Sequence, residues 1–351
     1  MGRLEAIFGA AEAVLERASE VLEAQATARA ETGAAAPPSA AAAGLVPVGP
    51  ASRSMAPCLV AEQPEVCLLW KPAGWAVTVG GEDRLATAAD ALEGEVEEAP
   101  RGKGGSSSAS QLQDWVAVKL GGPNWPISRD RGFMHGLVHR LDRETSGLLA
   151  CARSYRGFYR AQLQFVSRRV AKEYVCLCHG HLAAEVGEAD GRVGLMLLTA
   201  PLRVTLGSAA LGRPALISVV DEQAGVRAVT QVLSALRLTS PQGGPLSLVM
   251  VRLRTGRLHQ IRAHLHHAGH AVVGDVLYGG QAACPPWCPR LFLHAHRLAL
   301  DVGDGPLEAQ VPLPEDLQAV LRSIARMSAR LGGQSAEALQ QWLTGQEDTQ
   351  Q

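Results

Sequence analysis

The sequence predicts an α+β domain. Short apolar runs that end at Gly or Pro turns crowd the middle of the chain. Helical patterns stand singly between them, without the regular alternation of a repeated βαβ design, and no internal repeat is present. With 351 residues, 47% of them hydrophobic, the chain suits one large domain or two ordinary ones and can bury a sizeable core.

Leu4, Ile7, Phe8, Ala11, Val14, Leu15, Ala18, Val21 and Leu22 recur at helical spacing, with glutamates on the other face. They predict an amphipathic helix that packs on the main domain or on another chain, the former being favoured. Its acidity argues against a mitochondrial presequence. Residues 34–43 are Ala/Pro-rich and read as a linker. Residues 66–70 form an apolar run that breaks at Lys71-Pro-Ala-Gly74, which predicts a strand ending in a turn. Residues 93–110 run acidic and then Gly/Ser-rich, and are expected to form a disordered insertion. Strands are expected at 148–152, 174–178 and 248–253, and helices at 158–166 and 259–267, the second closed by Gly269. The expected organisation is an N-terminal helix and linker over 1–58, a main domain over 59–331 and a tail over 332–351.

Charged residues make up 19% of the chain and its net charge is −1, which argues neither for nor against a nucleic-acid partner. The distribution is more informative. Between His139 and Lys172 eight Arg and Lys face only Asp142 and Glu144. Between Arg252 and Arg297 six arginines face only Asp275. If these segments meet in space, they make a positive face suited to a polyanion. The seven cysteines are an odd number with no signal-peptide pattern before them, so a reducing compartment is expected, cytoplasm or organelle. No apolar run reaches the length of a membrane span. Cys284 and Cys288, followed by His294 and His296, suggest zinc by composition, but the spacing matches no common ligand pattern and no metal is expected.

Two stretches carry chemistry. In Val138–Ser154, Asp142 stands among arginines, either as part of a surface ion-pair cluster or as a carboxylate held for reaction. In Arg254–His264 a strand turns at glycine into a helix whose start presents Arg257, His259, Gln260 and Arg262. Helix starts attract anions, so phosphate or carboxylate is the natural guest; the plainer reading is a solvated basic face. His259, His264, His266, His267 and His270 also invite a metal reading, although no acid accompanies them before Asp275.

Taken together, these blocks resemble the RluA-type family of pseudouridine synthases. Lys71-Pro-Ala-Gly74 is similar to the family's first block, N-K-P-x-G. His139-Arg-Leu-Asp-Arg-Glu-Thr-Ser-Gly-Leu-Leu149 matches its H-R-L-D-x-x-T-S-G-L-L block. Residues 256–265 and 269–279 resemble the third block, while Lys172-Glu-Tyr174 and Leu293-His-Ala295 match two shorter ones. The resemblance covers about residues 64–317. Trp70 stands where the first block has asparagine, and Leu258 where a hydroxyl residue is usual.

The resemblance implies a mostly antiparallel mixed sheet split by an active-site cleft, with flanking helices. It implies isomerisation of uridine to pseudouridine in structured RNA, rRNA or tRNA, with no cofactor, no DNA and no membrane. Asp142 falls on the catalytic aspartate, which attacks the anomeric carbon or takes a ribose proton. Tyr174 falls on the active-site tyrosine and Arg262 on the arginine that pairs with the aspartate. Arg140 is expected to fill the gap left by a flipped nucleotide. His139, Arg257, His259 and Gln260 are the further expected substrate contacts. Two rivals are an RNA-binding protein that keeps this fold without turnover, and a hydrolase using Asp142 as nucleophile. The second is opposed by the lack of a neighbouring second acid in the sequence.

Overall fold

The computed structural model describes residues 56–77, 111–182, 196–207 and 215–330, together with 339 and 342. The expected N-terminal helix, the 34–43 linker, the 93–110 insertion and most of the tail lie outside the described residues. The strands are β1 (Cys58–Glu62), β2 (Val66–Lys71), β3 (Ser146–Ala152), β4 (Ala171–His179), β5 (Leu197–Leu198), β6 (Leu202–Gly207), β7 (Ala215–Val220), β8 (Thr230–Thr239), β9 (Pro245–Leu253), β10 (Leu293–Asp301) and β11 (Pro306–Gln310). The α-helices are α1 (Leu112–Lys119), α2 (Tyr155–Val166), α3 (Gln260–His267), α4 (Val276–Gly279) and α5 (Glu315–Arg330).

Nine of these strands form one mixed sheet in the order β1-β2-β3-β10-β4-β9-β8-β5, with β11 also on β10, and β6 and β7 form a separate hairpin. Every pairing is antiparallel except β3 with β10. The expected α+β class and mostly antiparallel sheet are what the chain adopts. Among the described residues, no helix is long and apolar enough to cross a membrane.

The period of two along β4 explains why it is central. Tyr174, Cys176 and Cys178 face one hydrophobic core, while Val175 and Leu177 face another. The first core is completed by Phe158, Ala161 and Phe165 of α2, and the second by Leu317, Val320, Leu321 and Ile324 of α5. A strand buried on both faces reads as a continuous apolar run, which is how it was visible in the sequence. It extends further than expected because Glu173, opposite Arg252 and Arg297, is neutralised by both at 2.5 and 2.8 Å. Helix α2 likewise begins before its apolar pattern, at Ser154, whose hydroxyl accepts from the Gly157 amide at 2.9 Å.

The parallel junction of β3 and β10 is short. His294 and Ala295 pair with Ser146 and Gly147, after which β11 takes over that edge of β10. Gly147 has φ +122°, and a Cβ there would lie 2.2 Å from the Ala295 carbonyl oxygen. Only glycine satisfies both conditions. Gly147→Ala is therefore expected to destabilise the fold by about 3 kcal/mol or more, since strain and a backbone clash coincide. Urea unfolding measures this; a midpoint equal to that of the parent would mean that β3 can move off β10 freely.

Candidate active site

The loop that carries Asp142 leads directly into β3, and its turn is closed by the Thr145 amide donating to the Asp142 carbonyl at 3.1 Å. The Asp142 side chain is 18% exposed. Arg262, from the first turn of α3, donates through Nη1 to its Oδ2 at 3.1 Å. The remaining edge of the same guanidinium grips Asp275, with Nε to Oδ2 at 2.7 Å and Nη2 to Oδ1 at 2.8 Å. Asp275 is fully buried and also caps α4, accepting from the Leu277 and Tyr278 amides. One cation thus lies between a dry carboxylate and a partly open one.

Burial raises the Asp142 carboxyl, but His259, Arg262 and Arg140 together outweigh it and hold the group below the ordinary carboxylate range. Burial pushes His259 below its usual 6.5 against the pull of Asp142. His259 sits 3.8 Å from Asp142 Oδ2 in a left-handed backbone conformation, φ 49°. Its Nδ1 lies 3.3 Å from the Tyr278 hydroxyl. The Tyr278 ring packs against the Arg262 guanidinium at 5.1 Å, and its hydroxyl accepts from the Ser218 amide at 2.9 Å. Tyr174 stands on β4 between Ala295 and Val251 of the neighbouring strands. Burial, then the charge of Asp142, push the Tyr174 phenol up, so its hydroxyl keeps its proton.

Asp142, Tyr174, Arg262, His259 and Arg140 are therefore brought to one place. Two other expected substrate contacts turn inward. His139 is buried, accepts from the Ala150 amide through Nε2 at 2.8 Å and packs on Phe165 at 4.8 Å; burial lowers it to about 3. It is a neutral acceptor that holds the Asp142 loop to β3. Gln260 is buried too: its Oε1 accepts from Thr255 Oγ1 and the Arg257 amide, and its Nε2 donates to Thr230 Oγ1. It ties the β9–α3 turn to β8. Arg257 is half-buried and donates through Nε to the Arg227 carbonyl at 3.3 Å.

The sequence missed Asp275 and Tyr278 as members of this site. A signal was present, since Asp275 stands at an N-cap position before Val276. The second acid that the sequence seemed to lack is thus beside Asp142 in space, but the protein's own donors occupy it. The basic face is also smaller than the residue count implied. Arg153, Arg156, Arg252, Arg262, Arg290 and Arg297 all pair with carboxylates. Cys284 and Cys288 bond the Gly280 and Arg290 carbonyls, and His296 contacts the Val311 carbonyl. Among the described residues no three His, Cys, Asp or Glu converge on a point that could hold a metal ion.

Comparison with known proteins places these residues in a wider set. The family model described as RNA pseudouridylate synthase matches residues 66–267, a span that contains Asp142, Tyr174 and Arg262. A Helicobacter pylori protein called "Uncharacterized RNA pseudouridine synthase" is 33% identical over 165 residues, 47% of this chain and 58% of that protein. "Ribosomal large subunit pseudouridine synthase D" of Nitrosomonas europaea is 31% identical over 203 residues, 55% of this chain and 52% of that protein. The chain therefore spans little more than half the length of the curated relatives it matches. The solved structure "Human RNA Pseudouridylate Synthase Domain Containing 1" has a TM-score of 0.49 and 20% identity, covering 76% of this chain and 86% of that chain.

Lys71 supports the site from behind. It is fully buried, and its Nζ donates to the carbonyls of Pro72, Trp75 and Arg143, each at 3.0 Å. Burial lowers it to about 7, against the pull of Asp142 and Glu144. The unfolded chain, with a lysine near 10.5, then binds more protons between these two values. The unfolding free energy should accordingly rise with pH above 7 by up to about 1.4 kcal/mol per pH unit from this group. Lys71→Met removes the dependence. Denaturant unfolding at pH 7 and pH 9 should show the wild type gaining about 2 kcal/mol on the variant. A difference independent of pH would mean that Lys71 stays protonated.

Proposed function

The chain belongs to the RNA pseudouridylate synthase family, and from that premise we propose that it isomerises selected uridines of structured RNA to pseudouridine. The observation that carries the reading is Asp142: ionised, partly open, and fixed by a guanidinium that a second carboxylate holds in turn. Breaking the bond from ribose to uracil calls for a carboxylate at the sugar, whether it attacks the anomeric carbon or takes a ribose proton. Both routes need the charged form that Arg262 favours. Among the described residues Arg262 and His259 both meet Asp142 at Oδ2, and Oδ1 is the oxygen assigned to the ribose.

The N1–C1′ bond breaks and a C5–C1′ bond forms, C5 giving up its proton as N1 gains one, so atoms and electrons balance within one nucleotide and no co-substrate is required. Tyr174 supplies a ring to stack on the base and a hydroxyl that keeps its proton, ready to donate a hydrogen bond. A stacked uridine hides its glycosidic bond, so the nucleotide is flipped, and Arg140 beside Asp142 is placed to fill the gap. The relative named for the large ribosomal subunit supports rRNA as the substrate, with tRNA as the second choice. The seven free cysteines support a reducing compartment. Against a silent binding protein stands the retained anion, which opposes phosphate binding.

Asp142→Asn should abolish product while RNA binds at least as tightly as to the wild type, because phosphate contacts dominate affinity. Arg140→Ala should weaken both binding and turnover. Arg262→Lys keeps a charge but loses the fork, so turnover should fall with modest loss of affinity. Exhaustive chelation should leave the wild-type rate unchanged. The assay is single-turnover pseudouridine formation on transcribed large-subunit rRNA, beside filter binding. Product from Asp142→Asn at the wild-type rate would remove Asp142 from the mechanism.

A further inference from the structure

We propose that Arg290 is a positioning residue for Asp142, and that through it the presentation of the aspartate depends on helix α5. The inference rests on the pseudouridine synthase reading above. Arg290 precedes β10 and lies outside the stretch that matches the family model. Its side chain is 11% exposed, and its hydrogen bonds go to residues other than Asp142. It acts on the backbone that follows Asp142.

All five N–H donors of the guanidinium are engaged. Nε and Nη2 hold the Asp316 carboxylate at 2.5 and 3.1 Å. Nη1 donates to the carbonyls of Glu144 at 3.2 Å and Leu291 at 3.1 Å. Nη2 also donates to Ser146 Oγ at 3.2 Å, and that oxygen lies 3.0 Å from His294 Nδ1. Asp316 stands in the first turn of α5. One planar group thus joins the Asp142 loop, the segment leading into β10 and the C-terminal helix.

The placement is specific to the loop. The Arg143 carbonyl accepts from Lys71 Nζ at 3.0 Å and from the Gly74 amide at 2.8 Å. The next carbonyl, that of Glu144, accepts from Arg290. Two successive carbonyls after Asp142 are therefore held by two basic side chains, one at the end of β2 and one before β10. The charge of Arg290 adds to the lowering of Lys71. Asp316 supplies the counter-charge that keeps Arg290 in place. If Arg290 only stapled α5 to the sheet, its bonds to Glu144 and Ser146 would be incidental. As placed, losing it frees one side of the turn that aims Asp142.

The test measures rate, affinity and stability in the full chain, using transcribed large-subunit rRNA as probe. Arg290→Ala should lower the single-turnover rate by about thirtyfold or more with RNA affinity within about twofold, because a misplacement near an ångström costs catalysis and not phosphate contacts. Added guanidinium at non-denaturing concentration should restore part of that rate, and methylammonium should not, because only the fork reaches the loop and Asp316 together. If Arg290→Ala does not fold, Arg290→Lys carries the test: it keeps a charge for Asp316 and should fold, yet turn over more slowly. A wild-type rate in either folded variant, with only the melting temperature lowered, would overturn the proposal. An inactive wild type on every RNA tried would instead overturn the functional reading on which the proposal rests.

Discussion

The site depends on one guanidinium shared by two carboxylates of unequal burial. Arg262 gives two donors to Asp275, which is fully buried, and one to Asp142, which reaches solvent. The inner pair fixes the plane of the fork, and the outer bond then fixes the direction of the partly exposed carboxylate. Removing one partner of such a buried pair typically costs about 3–5 kcal/mol, because the other charge is left uncompensated. The same asymmetry divides the roles. Asp275 accepts from four donors, Arg262 twice and two amides of α4, so it is closed to chemistry. Among the described residues, Asp142 meets Arg262 and His259 through one oxygen, Oδ2.

A carboxylate aimed this closely needs a backbone that does not move. The chain provides it by threading the Asp142 loop into a strand that touches β10 over only two residues, at a glycine with no room for a side chain. Upstream, His139 holds the loop to the Ala150 amide. Downstream, basic side chains from two separate segments hold consecutive carbonyls. The mixed sheet follows from this arrangement. β10 carries β3 on the first part of one edge, β11 on the rest, and β4 with Tyr174 on the other. Ala295 is small where it faces both Gly147 and Tyr174, so three strands meet at the site without a bulky residue between them.

Much of this was legible in the sequence, and what was not has a common physical cause. The apolar period of β2, β4 and β9 revealed the sheet because both of its faces are buried. Motif resemblance located Asp142, Tyr174 and Arg262. Polar residues that face inward misled the reading, since composition cannot tell a side chain that waits for a ligand from one already saturated by its own chain. His139 and Gln260 resembled substrate contacts, yet each is buried with protein partners. Glu173 fell outside the expected 174–178 strand and is instead a cross-strand ion-pair partner within it. The pairings of Asp275 with Arg262 and of Arg290 with the Glu144 carbonyl could not be read from the sequence, because the partners lie 13 residues apart in one case and 146 in the other.

The same inward turn changes what the net charge means. The basic segments looked like a polyanion surface on a neutral protein, but six of their arginines pair with carboxylates of the fold. The Lys172 ammonium lies over Phe165 and beside Gly256, so the two segments do meet, although with less uncompensated charge than the count suggested. For the proposed RNA substrate, fewer phosphate contacts mean weaker non-specific binding and a shallower dependence on salt. Discrimination for the proposed substrate then falls on the residues gathered around Asp142. The arginines paired within the fold tie its strands and loops together, Arg262 beside Asp142 among them.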